Sequence, residues 1–297
     1  MLAARNRRFR IAAIIGALAY LIFAVGEAVE ADRIFGLSGL PGGYRVSAVI
    51  LPVAYIAGAG GWVVVATGLG AELDWPRLRR GGALVAASLL AYFLGIALQT
   101  RTVIDFDYPE ATKVNLVFIF AALSALGLAV AAAVAVAAIA DSRRGPARAR
   151  WLRVGAGIAG LAYVAVTVSL LFEQAYWSSL GGMAGFAVAS EFTTGAIVSA
   201  VGSFGLAVGA AAFARRVTEP LGRREAALVA AAAILAAATI CAGGGEALIA
   251  YGYRDAQGSV AAAHWLGVAG RLVSAIAVVW LALGARAAAR AAPARST

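Results

Sequence analysis

The amino-acid sequence predicts an all-α, polytopic membrane protein with eight transmembrane helices. Of its 297 residues, 62% are hydrophobic and only 13% are charged, whereas ordinary soluble domains carry about a quarter charged residues. Apolar runs of about 18 residues or more recur along nearly the whole chain, which is typical of helices that span a bilayer. Short arginine-containing segments separate these runs, so we expect almost no soluble part.

Each apolar run is close to the ~20 residues that cross about 30 Å of hydrocarbon. The short polar connections between the runs favour up-and-down helical hairpins. A basic segment precedes the first run, but that run is too long for the apolar part of a secretory signal, and no A-x-A-like site ends it, so we expect a retained helix. The predicted spans cover roughly 11–30, 47–70, 82–104, 115–140, 154–173, 191–214, 226–252 and 265–285.

Basic and acidic residues are divided between the two predicted sides of the membrane. Nineteen of the 25 basic residues lie in the two terminal segments and in every second connection, and ten of the 15 acidic residues lie toward the opposite side. The positive-inside rule therefore predicts a multi-pass plasma (inner) membrane protein with both termini in the cytoplasm. Because topology explains the arginines, the net charge of +10 does not indicate nucleic acid as a partner.

Two parts of the sequence resemble each other at an offset of 143 residues. The LAY triplet at 18–20 aligns with the triplet at 161–163, and Glu30 aligns with Glu173. The alternative is that two helices of similar composition simply begin after basic segments.

A true duplication would divide the chain into two tandem four-helix membrane units, 1–145 and 146–297. An even number of spans in each unit keeps both copies in the same orientation. We therefore predict a pseudo-twofold axis along the membrane normal.

Carboxylates near the outer ends of two spans are candidate binding or proton-handling groups. Tyr20, Glu27 and Glu30 recur at helical spacing and share one face of the first span. Ionisable groups at membrane depth cost about 2.5–3.5 kcal/mol on insertion scales and normally point into the bundle. Glu30 and Glu173 are therefore expected to face each other's halves. The alternative is that these carboxylates lie at interface depth and are hydrated.

Glu246 follows three consecutive glycines, residues 243–245, in the seventh predicted span. Glycine-rich backbone at this depth indicates either a kinked or unwound segment that lines a site, or a face for close helix packing. Several transporters build mid-membrane sites from a carboxylate beside unwound backbone. Both interpretations stay open, the second with a neutral, hydrogen-bonded glutamate.

Two arginines, Arg101 and Arg271, lie in the outer portions of predicted spans. An unpaired arginine is costly there, so we expect carboxylate partners, and Glu246 is the expected partner of one of them. Structural pairing is favoured over direct contact with a substrate. His264 is interpreted first as an interfacial anchor and second as a proton-handling group.

Several functional classes lack their characteristic residues. The single cysteine, Cys241, and the single histidine, His264, exclude a disulfide framework, a cysteine-based metal site and a bis-histidine haem within one chain. The seventh span has no lysine for a retinal Schiff base, and no P-loop, G-x-S-x-G or H-E-x-x-H motif is present. We assign no metal ligand or catalytic residue, and no cofactor can be named.

Three functions remain. The first is a transporter or channel-like protein with an outward-facing acidic cavity, in which carboxylates couple proton or cation movement to a solute. The second is a non-catalytic membrane subunit that binds a lipid or a partner protein. As partners of the chain we expect the lipid bilayer and either a partner membrane subunit or a second copy of the chain. The third is an intramembrane enzyme that uses glutamates as acid and base on a lipid or isoprenoid substrate. The sequence favours transport and leans against an enzyme.

Overall fold

The structure is a computed structural model, and the residues that it describes are almost entirely helical. Among the described residues, seven helices are long and apolar enough to cross a membrane. The structure describes residues 2–36, 42–69, 74–104, 111–140, 146–181, 190–216, 221–252, 262, 264–277 and 279. The all-α, multi-pass architecture expected from the sequence is confirmed.

Seven helices run along the chain in the predicted order, and an eighth helical segment, α8, covers residues 264–277. The last predicted span, 265–285, lies only partly within the described residues. Most helices extend beyond the predicted spans because helical hydrogen bonding continues past the hydrocarbon core, whereas the apolar run ends there. The bounds are α1 Leu2–Gly36, α2 Gly42–Gly68, α3 Trp75–Ile104, α4 Ala111–Ala140, α5 Pro146–Gly181, α6 Ser190–Arg216 and α7 Leu221–Gly252.

The start of α3 shows how a short polar connection begins a span. The Oδ1 atom of Asp74 accepts a hydrogen bond from the backbone N–H of Arg77 at 3.1 Å. This is an N-cap, which satisfies one of the four N–H groups that a helix leaves without a partner at its first turn. The Arg77 side chain also lies 3.0 Å from the Asp74 carboxylate. Arg77 of this connection is therefore part of the first turn of α3.

The helices form a ring in chain order. Within the described parts of α1–α7, each helix packs only against its neighbours in sequence. α8 completes the ring, because a Cβ atom on Gly270 would lie 2.7 Å from the ring of Phe23 in α1, and Arg271 forms an ion pair with Glu246 of α7. The two ends of the helical sequence therefore meet.

Glycines set the closest helix contacts. A Cβ atom on Gly61 of α2 would lie 2.9 Å from the carbonyl oxygen of Gly81 in α3, and one on Gly245 of α7 would lie 2.5 Å from the carbonyl oxygen of Gly195 in α6. Lipid supplies no hydrophobic drive for helix association, so small residues that allow close backbone contact stabilise such pairs. Large apolar side chains instead remain exposed on the helices, as with Leu161 at 72%, where they can contact lipid.

The division into units 1–145 and 146–297 stays a prediction. Its boundary falls between α4 and α5, and these helices pack against each other as the other neighbours in sequence do. The ring is therefore continuous across the predicted boundary. The pseudo-twofold axis likewise remains an expectation from the sequence.

Candidate functional site

A cavity of about 520 Å³ lies inside the ring, and every one of the eight helices contributes residues to its wall. Ligand pockets in proteins typically measure about 300–1,000 Å³. The wall is mainly apolar, with tyrosine, serine and three charged side chains at intervals. Its aromatic and charged members are Tyr20, Phe23, Tyr55, Tyr92, Tyr163, Glu173, Glu246 and Arg271.

The aromatic residues of α1, α2 and α3 form a cluster on one side of the cavity. The ring of Tyr55 packs edge-on against Tyr20 with centroids 5.6 Å apart, and stacks on Phe23 at 5.4 Å. Tyr92 lies against the same ring at 5.3 Å. These separations are in the 4.5–7 Å range in which aromatic pairs attract each other, so the cluster joins three helices.

Serine hydroxyls line other parts of the wall, and two of them donate hydrogen bonds to backbone carbonyl oxygens. Ser88 donates its hydroxyl hydrogen to the carbonyl oxygen of Val85 at 2.8 Å. Ser169 of α5 donates to the carbonyl oxygen of Val117 in α4, also at 2.8 Å. Each hydroxyl carries one hydrogen and two acceptor lone pairs. Both oxygens therefore retain acceptor capacity toward the cavity.

Glu246 and Arg271 form the ion pair that links α7 to α8 at the cavity wall. The Nη2 atom of Arg271 donates to the Oε1 atom of Glu246 at 3.1 Å. The Nδ1 atom of His264 lies 3.6 Å from Oε2 of the same carboxylate, which is beyond ordinary hydrogen-bonding distance. The expected pairing of Glu246 with one of the two outer arginines is confirmed, and His264 lies beside it.

The glycine run before Glu246 does not break the helix. α7 is helical without interruption from Leu221 to Gly252, so the unwound interpretation is wrong. Gly245 contacts α6, and a Cβ atom on it would also collide with the Ser199 hydroxyl. A neighbouring helix therefore occupies the space that a side chain would need, which is the close-packing alternative, and the glutamate beyond it contacts Arg271.

The predicted site residues separate into two groups. Glu173, Glu246 and Arg271 line the same cavity. Glu27 is half-buried in α1 and interacts electrostatically with Tyr55 and Tyr92.

Of the other two predicted residues, one lies away from this group, and the side chain of the other is outside the described residues. Arg101 is exposed on α3 and is not part of the cavity wall. Glu30 belongs to α1, but its side chain lies outside the described residues. The expected contact between Glu30 and the second half of the chain therefore stays a prediction.

The sequence-based site omitted Tyr55, Tyr92 and the serines of the wall. The sequence could have indicated Tyr92. Tyrosine in membrane proteins is enriched at the interfaces, whereas Tyr92 lies near the middle of α3. A phenol at that depth needs polar neighbours and therefore indicates a polar interior. Serine gives no such signal, since small residues are common on any packed membrane helix.

Comparison with known proteins adds nothing to this geometry: no family model, curated protein or solved structure matches the chain. Within the described residues, no group of three or more His, Cys, Asp or Glu side chains is placed to hold a metal ion. The cavity itself offers aromatic faces, hydroxyl acceptors and an ion pair. Those groups can bind and orient a small molecule, and the carboxylates can exchange protons with it.

Proposed function

We propose that the protein is a membrane carrier that binds a small solute in the central cavity and couples its movement to a proton or cation. The observation that supports this proposal is a cavity of about 520 Å³ to which all eight helices contribute, with an ion pair in its wall. A membrane protein that served only as a scaffold would fill this volume with side chains, because packed interiors leave few voids larger than a water molecule.

The charged residues of the wall support coupling to an ion. Intramembrane carboxylates are costly and commonly mark proton or substrate pathways. Glu173 and Glu246 both line the cavity. A solute or a proton that binds near Glu246 competes with Arg271 for the same carboxylate, which gives the ion pair two alternative states.

The depth of the ion pair supports entry from the outer side. Glu246 is six residues from the end of α7 at Gly252, or about 9 Å along a helix axis. The arginine distribution predicts that this end of α7 faces outward. The pair would then lie between the outer surface and the rest of the cavity.

Two successive measurements test transport. The purified protein in nanodiscs is first screened by thermal shift against amines, carboxylates, sugars and neutral alcohols. Each solute that stabilises it is then tested in proteoliposomes that enclose a pH-sensitive dye, under an imposed membrane potential. We expect at least one bound solute to drive proton movement in the wild type and not in Glu246→Gln.

Glu191→Gln is the matched control, because Glu191 lies in the first turn of α6 and is not part of the cavity wall. This variant makes the same chemical change and should keep the flux of the wild type. Solutes that bind without crossing the membrane, or a complete lack of binding solutes, would contradict the carrier proposal.

An enzyme is the second candidate, and one observation favours it. Two carboxylates, Glu173 and Glu246, share a cavity with Arg271, and such a set can supply a general acid, a general base and a cation for an anionic group. Incubation of the protein with lipid extract from its own membrane, followed by mass spectrometry, tests this. A product that forms with the wild type and not with Glu173→Gln would support an enzyme in place of a carrier.

A non-catalytic subunit remains the third alternative from the sequence. Apolar helix surfaces are expected of any protein in a bilayer, so exposure alone does not indicate a protein partner. Native mass spectrometry after gentle extraction decides the point. A stoichiometric second polypeptide would support the subunit interpretation, whereas a bare chain or a homo-oligomer would support an autonomous carrier.

A further inference from the structure

We infer that the cavity binds a small uncharged alcohol, with one or more hydroxyl groups on an apolar body. This ligand class names the solute of the proposed carrier and rests on the proposed function for its biological meaning, but the binding can be measured without transport. The wall of the cavity contains buried hydroxyls that lack hydrogen-bond partners among the described residues, and these hydroxyls indicate the ligand.

Two serines of the wall are buried and have unused hydroxyls. Ser124 of α4 is 4% exposed and Ser203 of α6 is 2% exposed, and both line the cavity. In the part of the chain that the structure describes, neither hydroxyl has a hydrogen-bond partner. Because buried polar groups are nearly always hydrogen-bonded, both serines require a partner that enters the cavity.

Tyr163 adds a third hydroxyl from α5, the helix between the two that carry these serines. It lines the same cavity, and no hydrogen bond joins its hydroxyl to another described residue. Ser124, Tyr163 and Ser203 each lie near the middle of their helix. Since neighbouring membrane helices of similar length have their middles at similar depth, three consecutive helices present unused hydroxyls at one level of the cavity.

The hydroxyls of the other wall tyrosines can also donate. Tyr55 and Tyr92 are close enough to hydrogen-bond each other, which uses one of their two hydrogens. Tyr20 of α1 is close enough to Tyr163 to interact with it electrostatically, so phenols from two sides of the ring approach each other. Each phenol hydroxyl both donates and accepts. The tyrosines therefore offer a ligand both kinds of hydrogen bond.

Other wall groups act in one direction only. Ser88 and Ser169 use their hydroxyl hydrogens on backbone carbonyls, so their oxygens can only accept. A guanidinium has five N–H donors and no acceptor, and Arg271 uses one of them on Glu246. A ligand hydroxyl answers both kinds of group, because it donates and accepts. A carbonyl could not donate to the serine oxygens, and an ammonium group could not accept from the arginine.

Charge does not select the ligand. Glu246 and Arg271 offset each other at 3.1 Å, and Glu173 also interacts with another group. An uncharged ligand avoids the cost of moving a charge from water into a low-dielectric interior. The rings of Phe23 and Tyr55 line the cavity and offer apolar area to the body of the ligand.

Isothermal titration of the wild-type protein in nanodiscs tests the inference with probes that differ only in their polar group. One series is cyclohexanol, cyclohexanone and cyclohexylamine, and the other is menthol, menthone and menthylamine. Empty nanodiscs give the partition into lipid, which is subtracted. In at least one series, we expect the alcohol to bind about five-fold or more tightly than its ketone and its amine, as for one lost hydrogen bond.

Two results would overturn the inference. The first is a ketone or an amine that binds as tightly as its alcohol in both series. The second is a lack of binding by either alcohol. The serine hydroxyls would then be satisfied by water alone, as buried polar groups in many proteins are.

Ser203→Ala and Tyr163→Phe locate the binding, because each removes one hydroxyl and little else. Each variant should bind the preferred alcohol about five-fold more weakly. Ser274→Ala is the matched control, since the Ser274 hydroxyl donates to the Gly270 carbonyl at 2.9 Å and is not part of the cavity wall. This variant should keep the wild-type affinity. Wild-type affinity in both Ser203→Ala and Tyr163→Phe would place the alcohol elsewhere and contradict the inference.

Unfolding temperatures distinguish ligand binding from a structural role. A hydroxyl without a partner contributes no hydrogen bond to the folded protein, so Ser203→Ala should not lower the unfolding temperature in the absence of ligand. A lower temperature would mean that Ser203 bonds to the protein itself and would count against its role in the site. The wild-type series does not depend on how any variant folds.

Binding and flux together separate the two proposals. An alcohol that binds in nanodiscs but does not cross proteoliposome membranes would leave the ligand class intact and contradict the carrier. A charged solute that is transported, in a protein that does not favour alcohols, would have the opposite meaning.

Discussion

The Nη2 atom of Arg271 lies 3.1 Å from the Oε1 atom of Glu246, and this contact joins α8 to α7 at the wall of the central cavity. The two side chains keep 32% and 21% of their surface accessible, so the pair borders the cavity and is not enclosed in a packed core. An arginine in a membrane helix is costly without a carboxylate. The pair therefore both holds α8 against α7 and supplies a charge that a ligand can reach.

The ion pair predicts coupled effects of substitution. Glu246→Gln and Arg271→Gln should each lower the unfolding temperature, because each leaves one charge without the opposite charge beside it. The double variant should lose less than the sum, with a coupling of roughly 0.5–3 kcal/mol. Thermal unfolding in nanodiscs measures the cycle. A parallel cycle of Glu246→Gln with Arg101→Gln should be additive, since Arg101 is exposed and outside the cavity wall.

Adjacent glycines in α7 provide a matched test of helix packing. Gly245→Ala should destabilise the protein by about 1–3 kcal/mol, because the methyl group enters space occupied by α6. Gly244→Ala should be neutral or stabilise by up to about 1 kcal/mol, since nothing lies within 4 Å of its added Cβ atom and alanine favours helix. Chemical or thermal unfolding of both variants distinguishes them. Equal effects would mean that α6 and α7 do not meet at Gly245.

Closure of the ring predicts a cross-link between the two ends of the helical sequence. In a Cys241→Ala background, Phe23→Cys with Gly270→Cys should react with a short, membrane-permeable bifunctional thiol reagent, because these positions are in contact. Cleavage at a protease site inserted at 141–145 should then leave the fragments joined on a denaturing gel. Phe23→Cys with Leu161→Cys is the control, since Leu161 is 72% exposed. Fragments that separate in the first pair would indicate an open arrangement.

The arginine distribution predicts which connections face the cytoplasm. In the same Cys241→Ala background, an impermeant maleimide added to intact cells should label Gln257→Cys, which belongs to a predicted outer connection. Arg144→Cys, in an arginine-rich connection, should react only after permeabilisation. The reverse pattern would invert the predicted topology and place the ion pair nearer the cytoplasmic side.

The residue types along the sequence were sufficient to predict the helices and one ion pair. An arginine and a carboxylate at membrane depth require each other, so the link between Arg271 and Glu246 could be anticipated without coordinates. The same reasoning applied to Arg101 did not place it in the cavity, because a long side chain near a span end can reach water instead. The position of a residue along a span therefore does not by itself predict whether its side chain lines the cavity. The direction in which that side chain faces is also needed.

The glycine run before Glu246 shows a different kind of ambiguity. Glycine both lowers helix propensity and permits close contact, so the sequence alone is compatible with an unwound segment or a packed one. The neighbouring helix decided the outcome. α6 packs closely against Gly245, and α7 remains a continuous helix there.

Apolar run length and arginine asymmetry by themselves determined that the chain is a multi-pass helical membrane protein, because a bilayer imposes span length and backbone hydrogen bonding on every segment that crosses it. They could not determine which faces of the helices meet. Only the tertiary structure brings Tyr55, Tyr92, Glu173 and Arg271 from four helices into one cavity. That grouping depends on the rotation of each helix about its own axis, which is set by contacts between residues far apart in the chain.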